Sequence, residues 1–298
     1  MARFPVGPEQ AGVRLDQFVA AALSGLSGAA GRRLVESGAV RVDGRTGKKG
    51  ERLQAGQTVE IDDARGALEL PGGRRVRANS AAPLSVLRVD PAFVAVDKQA
   101  GVPSHPRAAG ETDTVANAIV ARFPECATAS PDAREGGLCH RLDTGTSGVL
   151  IAARSPTAWT ALRAALSGGG CEKTYLAEVV GVPPPTGEST AAIGRSGRRG
   201  KQVVVDGGRN PLPAHTRWEL VEARAGTALL RVRLTKGRTH QVRAHLAAAG
   251  HPIVGDELYG AESGALHLHA AAVRFVHPET GETILVEAPA PAWAKIRA

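Results

Sequence analysis

At 298 residues, with a formal charge of +8, the chain is long enough to bury a core without disulfides or metals, and its basic balance suits a polyanionic partner. Its three cysteines are widely spaced and include no C-x-x-C pair, which argues against a disulfide framework or a zinc knuckle and predicts reduced thiols. No apolar run reaches the about 18 residues of a membrane span and no signal peptide is apparent, so we expect a cytoplasmic protein without membrane segments.

The first region, residues 13 to 63, is predicted to form a small domain. Helical spacing of apolar residues begins at Leu15, and a second short helix is predicted to end at Gly38. Alternating segments at 40–42 and 58–61 predict strands, and Asp43-Gly44 is a strong turn signal after the first of them.

A basic patch is predicted within this region. Between residues 32 and 52 there are seven basic and three acidic residues, which favours contacts with phosphates, although a solvated charged face has the same composition. The candidate phosphate contacts are Arg32, Arg33, Arg41, Lys48 and Lys49.

The remainder of the chain is predicted to form a linker and a larger domain. Residues 64–83 are rich in Ala, Arg, Gly and Pro without a sustained period, which is typical of a flexible basic linker. Over 84–298, strand-like runs at 94–96, 149–151 and 229–234 alternate with helical stretches. The pattern predicts an α+β fold in which the larger domain is built on a mixed sheet.

Reactive side chains are concentrated in the segment CHRLDTGTSGVLIAAR, residues 139–154, where a polar loop precedes a buried strand. Asp143 could simply cap a turn there. The neighbouring Gly145-Thr146-Ser147-Gly148 fails the G-x-S-x-G pattern of a serine hydrolase, because position 149 is Val. Nine histidines include no HExxH pattern, and His240 and His245 are spaced to point to different helix faces, so we expect no metal site.

A helix is predicted from about 240 to 249, with Thr239 as its N-cap and Gly250 at its C-terminal end. Arg243 would lie in the first turns, where the helix dipole does not favour a cation, so a nearby carboxylate or phosphate is expected. Five basic residues and no acid occur between 231 and 255, which favours substrate phosphates nearby.

Two sets of segments resemble known families. The segments RLDQFVAAAL, RRLVESGAVRVDG and KKGERLQAGQTVEI resemble the αL RNA-binding domain that a small-subunit ribosomal protein and several RNA-modifying enzymes have in common. The larger region resembles the RluA-type pseudouridine synthases through the segments VDKQAGVPSHP, HRLDTGTSG, KTYLAEVVG, GRTHQVRAHLAAAGHPIVGDELYG and LHLHAAAVRFVHP.

The second resemblance implies an RNA pseudouridine synthase, an isomerase that uses no cofactor. It implies that Asp143 is the nucleophile, that Arg243 forms a salt bridge with it, and that Tyr175 is the active-site tyrosine, which could stack on the uracil or assist removal of its proton. It also implies that Arg141 fills the gap left when the target uridine leaves its stack.

The resemblance leaves the substrate partly open. The added RNA-binding domain favours large-subunit rRNA over tRNA, and a monomer is our default expectation. The alternative from another class is a non-catalytic RNA-binding factor for ribosome assembly.

Overall fold

The computed structural model of the chain describes residues 2–23, 28–62, 76–107, 110–168, 170–196, 202–260 and 264–296. It divides into two compact units, of which the first comprises Met1–Arg77, Arg107–Glu111 and Pro131–Arg134, and the second the remainder.

In its described residues, the first unit packs two α-helices on a small antiparallel sheet. Its elements are β1 (Ala2–Pro5), α1 (Leu15–Ala22), α2 (Gly28–Glu36), β2 (Val40–Val42), β3 (Arg45–Thr46) and β4 (Thr58–Ile61), with strand order β1-β4-β2-β3. Alternation in β2 and β4 buries every second side chain against the helices, where Leu15, Phe18 and Leu34 complete the core. The helices and strands predicted here are confirmed.

The turn between β2 and β3 is built on Asp43 and Gly44. Both have positive φ, 51° and 79°, as a two-residue hairpin turn with the right twist requires. The Asp43 carboxylate also accepts hydrogen bonds from the Thr58 amide at 2.8 Å and the Gln57 side chain at 3.0 Å. A single aspartate therefore fixes the turn and connects it to the closing strand.

The predicted linker, residues 64–83, falls mostly outside the described residues, which resume at residue 76. The Val76 amide donates to the Ala133 carbonyl at 2.7 Å, and the Asn79 amide donates to the Asn117 carbonyl at 3.1 Å. The domain limits 13–63 and 84–298 stay a prediction.

The second unit is built on a large mixed sheet. Its strands are, in chain order, β5 (Ser85–Val89), β6 (Phe93–Lys98), β7 (Ser147–Ala153), β8 (Cys171–Val180), β9 (Thr186–Ser189), β10 (Ile193–Arg195), β11 (Val203–Val205), β12 (Arg209–Leu212), β13 (Thr216–Ala223), β14 (Thr227–Leu234), β15 (Leu268–Val276) and β16 (Thr283–Glu287). Within the described ranges, nine of them form one sheet of order β5-β6-β7-β15-β8-β14-β13-β9, with β16 also paired to β15. Strands β10 to β12 form a separate three-stranded sheet. The predicted α+β class with a mixed sheet is confirmed.

Among the described residues of this unit, three α-helices accompany the sheets: α3 (Val115–Arg122), α4 (Pro156–Gly168) and α5 (Gln241–Ala248). Leu162 and Leu166 of α4 pack into one core cluster, with Phe93 and Phe275 from the sheet. A second cluster forms under α5, where Val242 and Leu246 meet apolar side chains of β8 and β14. The sheet thus carries two cores.

Strands β7 and β15 form a parallel pair at the middle of the sheet, in which Gly148 lies opposite Ala270. Gly148 has φ 109°, a conformation that L side chains rarely adopt, and a Cβ at this position would collide with the Ala270 carbonyl. Glycine is therefore required at the point where the polar loop enters β7.

The three cysteines, Cys126, Cys139 and Cys171, are buried free thiols, as predicted, and burial raises the pKa of the Cys139 thiol to about 12. Within the ranges given above, no helix is both long and apolar enough to cross a membrane.

We predict that Gly148→Ala destabilises the fold by about 3 kcal/mol or more, because it adds a backbone clash to a disfavoured φ. Gly226→Ala is the matched control: φ is 77° there, but an added Cβ meets nothing within 4 Å, so the cost should stay near 1 kcal/mol. Urea unfolding measures both, and equal losses would contradict the argument.

Candidate active site

Asp143 lies in the loop that leads into β7, and an earlier segment of the chain holds this loop. Ser104 Oγ donates to the Leu142 carbonyl at 2.8 Å and accepts from the Leu142 amide at 3.1 Å. The Lys98 ammonium donates to the Thr144 carbonyl at 2.9 Å. The residues on both sides of Asp143 are therefore fixed through their backbones.

Lys98 supports the Asp143 loop and was not singled out by the sequence analysis, although the segment around it carries part of the family resemblance. Its side chain is buried and also donates to the Gln99 carbonyl at 2.9 Å. Burial lowers the pKa of Lys98 to about 8, against the opposing effect of the Asp143 charge. It supports the loop as a cation near the Asp143 carboxylate.

The Asp143 side chain is about 20% exposed, and its carbonyl accepts the Thr146 amide at 3.0 Å, which closes the turn that the sequence allowed. Both side-chain neighbours meet the same oxygen: Arg243 Nη1 lies 3.2 Å from Oδ2, and His240 Nε2 lies 3.6 Å from it. Among the contacts that the structure describes, Oδ1 accepts no hydrogen bond. One carboxylate oxygen is thus held, and Asp143 lines the cleft.

The Arg243 guanidinium binds two carboxylates. Its Nε and Nη2 bind Asp256 at 2.8 and 2.7 Å, while Nη1 reaches Asp143. The guanidinium carbon also lies 5.3 Å from the centre of the Tyr259 ring. The predicted salt bridge between Arg243 and Asp143 is present, and the carboxylate expected near the first turns of α5 proves to be two carboxylates.

Asp256, which the sequence analysis did not single out, is the permanent partner of this arginine. Its side chain is fully buried and accepts the amides of Leu258 and Tyr259 at 3.0 and 3.1 Å. Burial alone would raise the pKa of Asp256, but Arg243 and the two amides hold it below its usual value. Asp256 therefore stays ionised and fixes the guanidinium.

His240, and not the predicted Thr239, is the N-cap of α5, and its φ of 55° is left-handed. This strained backbone directs the imidazole between Asp143 and the Tyr259 hydroxyl, which lies 3.0 Å from Nδ1. Burial lowers the pKa of His240, against the pull of Asp143. The other end of α5 agrees better with the prediction: the helix ends at Ala248, and Gly250, with φ 86°, follows its C-cap.

The other helix histidine, His245, is buried and contacts Thr216 Oγ1 at 2.8 Å and the Ala191 carbonyl at 3.1 Å. The two imidazoles thus have separate partners. In the part of the chain that the structure describes, no three His, Cys, Asp or Glu side chains are grouped to hold a metal ion.

Tyr175 lies on β8, opposite Val232 of β14 and Ala270 of β15. It lines the same cleft as Asp143 and Arg243. Burial, reinforced by the Asp143 charge, raises the pKa of its phenol. At neutral pH the hydroxyl keeps its proton.

The cleft has a volume of about 360 Å³ and excess positive charge. Arg141 is exposed and lines it, with no ion pair to any carboxylate that the structure describes. The charged groups of the described lining are five cations, Arg141, Arg163, Lys173, Arg238 and Arg243, and two carboxylates, Glu135 and Asp143. Such a cleft suits a polyanion.

The basic residues predicted to contact RNA from the N-terminal region lie on the first unit, and only some of them form ion pairs. Arg32 pairs with Asp16 at 3.5 Å and Lys49 with Glu36 at 2.6 Å, whereas Arg41 and Lys48 are exposed and make no ion pair within the described residues. The side chain of Arg33 is outside what the structure describes.

The basic run between 231 and 255 does not converge on one place as expected. Arg231 and Arg233 both pair with Glu219, at 2.7 and 3.1 Å, and line a separate groove. Arg238 and Arg243 line the cleft with Asp143. Arg231 and Arg233 are two residues apart on β14, so their side chains lie on the same face of the strand and line the same groove. Their closeness to Arg238 and Arg243 in the sequence therefore did not predict closeness in space.

Comparison with known proteins assigns the family. The model of the RNA pseudouridylate synthase family matches residues 92–248, and the S4 domain model matches residues 13–59. The chain belongs to the RNA pseudouridylate synthase family and carries an S4 domain, as both resemblances implied.

Similar proteins agree with this assignment. An uncharacterized RNA pseudouridine synthase of Chloroflexus aurantiacus is 40% identical over 67% of this chain and 64% of its own length. Ribosomal large subunit pseudouridine synthase D of Xanthomonas campestris is 40% identical over 70% of this chain and 66% of its own. The match thus spans about two thirds of each relative.

A similar solved structure is human RNA pseudouridylate synthase domain containing 1. It has a TM-score of 0.57 and 28% identity over 72% of this chain and 86% of its own.

We predict that Asp256→Asn lowers the free energy of unfolding by about 3 kcal/mol near pH 7. The amide carries no negative charge, so the buried Arg243 guanidinium keeps Asp143 as a charged partner and loses Asp256. The folded-state pKa of Asp256 is depressed, so its contribution is present above the unfolded pKa of about 3.9 and is lost as pH falls through the folded value. Urea titrations from pH 7 to pH 3 should therefore show the two proteins converging in acid.

Glu188→Gln is the control for this series, because Glu188 pairs with His215 and Arg217 on the surface and its loss should change stability little. A difference between wild type and Asp256→Asn that stays constant down to pH 3 would rule out the ion pair as its source.

Proposed function

We propose that this chain isomerises uridine to pseudouridine in RNA, and that its substrate is large-subunit rRNA. The observation that carries the proposal is Asp143, held through one oxygen by Arg243 inside a positively charged cleft that Tyr175 also lines. Family membership supports the reaction, and the names of relatives such as ribosomal large subunit pseudouridine synthase D support the choice of rRNA over tRNA.

The reaction requires a nucleophile and no redox partner. The bond from uracil N1 to the sugar breaks, the base turns, and its C5 bonds to the same anomeric carbon; one proton leaves C5 and one is gained at N1. Asp143 is the covalent nucleophile, attacking through Oδ1 either the anomeric carbon or the uracil ring. Its other oxygen, Oδ2, lies 3.2 Å from Arg243 Nη1, which orients the carboxylate.

Tyr175 holds the turned base. Its ring offers a stacking face on the cleft, and the raised pKa of its phenol favours a protonated donor over a phenolate base. We therefore assign it to positioning of the uracil, and not to the proton abstraction that was one expectation from the sequence.

Arg141 is proposed to occupy the space that the target nucleotide leaves in the RNA stack. The reacting bond is inaccessible inside a helix, so the uridine has to flip outward. An exposed guanidinium that pairs with no carboxylate among the described residues, two residues before the nucleophile, is suited to replace it.

The N-terminal unit is proposed as the RNA-binding module and the second unit as the catalytic one, acting as a monomer in the cytoplasm without cofactor or metal. The alternative, a non-catalytic ribosome-assembly factor, would not need the nucleophile with its ion pair. Pseudouridine mapping of rRNA and tRNA from cells with and without the protein tests both the reaction and the substrate.

We predict that Asp143→Asn abolishes pseudouridine formation while RNA affinity stays within a few fold, because the amide keeps the shape and loses the nucleophile. Nucleoside analysis of digested large-subunit rRNA transcripts measures the product. Asp97→Asn is the matched control: Asp97 is partly buried on β6, and burial raises its pKa, so a neutral amide should be tolerated. Turnover near the wild-type rate in Asp143→Asn would refute the assignment.

We predict that Arg41→Ala with Lys48→Ala flattens the slope of log affinity against log salt by about 1.4 to 1.8, since each phosphate contact contributes about 0.7 to 0.9. Arg45→Ala is the matched control, because Arg45 already pairs with Glu51 and should contribute less. Filter binding to rRNA fragments over a salt series measures the slopes. Equal slopes in all three proteins would mean that the patch is only a solvated face.

A further inference from the structure

A buried cation in the cleft has no role in the mechanism described so far. Lys173 lies on β8, two residues before Tyr175, so the two side chains leave the same face of the strand. Both line the cleft. The Lys173 side chain is only about 5% exposed.

Lys173 is incompletely satisfied inside the protein. Its ammonium donates to the Leu166 carbonyl at 2.9 Å, and the described residues offer it no other acceptor and no ion pair with a carboxylate. Burial lowers the pKa of Lys173. Burial also lowers the pKa of His140, three residues before Asp143, and the Lys173 charge adds to that effect. Burying a cation with one neutral acceptor is costly, which points to a ligand that completes its bonding.

A purely structural role, as a cap for the end of α4, does not account for a buried cation at position 173. Leu166 is in the last turn of α4, where a cation stabilises the unpaired carbonyls. The Cys171 thiol, however, lies 3.6 Å from the Leu166 carbonyl and 3.3 Å from the Thr235 carbonyl, so a neutral donor is available beside Leu166. The loop at Gly237 approaches closely as well, since a Cβ there would lie 3.5 Å from the Lys173 nitrogen. The amine is thus enclosed at the wall of the cleft.

We propose that Lys173 is a catalytic residue that donates a hydrogen bond to a carbonyl oxygen of the uracil and stabilises the negative charge this ring carries during the isomerisation. The inference rests on the proposed function. A uracil stacked on Tyr175 would present its polar edge along β8 toward Lys173, and a preorganised donor in a buried site is an effective way to stabilise developing charge.

The proposal holds for both routes of nucleophilic attack. If Asp143 attacks the anomeric carbon, the pair of the broken N1 bond moves into the ring and spreads over N1, O2 and O4. If Asp143 adds to ring carbon C6, the pair of the C5–C6 double bond moves onto O4. In the second route the N1–sugar bond then breaks as well. In either route C5 next bonds to the anomeric carbon, the bond to Asp143 breaks, C5 releases its proton to water and N1 takes one from water. Lys173 keeps its proton throughout.

The test combines a side-chain change with a change of the substrate oxygen. Lys173→Met is compared with wild type on rRNA transcripts that contain uridine, 2-thiouridine or 4-thiouridine, because sulfur is a weak hydrogen-bond acceptor. We expect Lys173→Met to lower the single-turnover rate on uridine about 100-fold, with RNA affinity within a few fold. At one of the two positions, sulfur should slow the wild type by about tenfold more than it slows the variant.

Cys171→Ala is the matched control, since it removes the other donor to the Leu166 carbonyl and lies outside the cleft lining; its rate should match wild type. If thermal unfolding shows that Lys173→Met is not folded, Lys173→Gln takes its place in the same comparison. Equal rates for Lys173→Met and Cys171→Ala, or thio effects that multiply independently at both positions, would overturn the proposal.

Different results would refute the proposed function and the role of Lys173. Wild-type protein that binds rRNA and forms no pseudouridine refutes the proposed function and this inference with it. Active wild type, inactive Asp143→Asn and fully active Lys173→Met refute the role of Lys173 alone.

Discussion

The site depends on one guanidinium that binds two carboxylates. Arg243 is fixed by the buried Asp256 through two hydrogen bonds and has one nitrogen left for Asp143. A lone arginine would be free to move toward any phosphate of a polyanionic substrate. With Asp256 fully buried behind it, the guanidinium keeps its position, and Asp143 meets a cation whose orientation is already set.

The charges around Asp143 are arranged by depth. Lys98 approaches the loop from the buried side, Arg243 holds one carboxylate oxygen, and Arg141 is exposed at the cleft. Lys173 is buried in the lining without a carboxylate among the residues described. Cations therefore outnumber anions in the described lining of the cleft, a distribution that favours a polyanion.

Local signals in the sequence predicted much of the fold, because they arise from short-range periodicity. The helix that begins at Leu15, the turn at Asp43 and the strand after Asp143 all follow from spacing and turn chemistry. The features that were missed depend on residues far apart in the chain. His240 replaces Thr239 as N-cap because its left-handed backbone brings it to Tyr259, 19 residues away.

The residues of the candidate site were likewise predicted only in part from the sequence. The family resemblance indicated Asp143, Tyr175 and Arg243, and the structure brings them to one cleft. No local pattern distinguished Asp256 or Lys98, because a buried carboxylate and a buried amine are recognised by their partners and not by their neighbours in sequence. Equally, strand alternation moved Arg231 away from the cleft although Arg243 lines it.

The parallel pairing of β7 with β15 has a consequence for how the protein matures. Ser147 pairs with His269 across more than a hundred residues of intervening chain, and the loop of Asp143 enters the sheet at this pairing. Such long-range pairs form late, because loop closure costs entropy before the contact stabilises the chain. During synthesis the first unit can fold from local contacts, whereas the Asp143 site is assembled only after β15 has left the ribosome. The timing separates the folding of the S4 domain from the assembly of the cleft around Asp143.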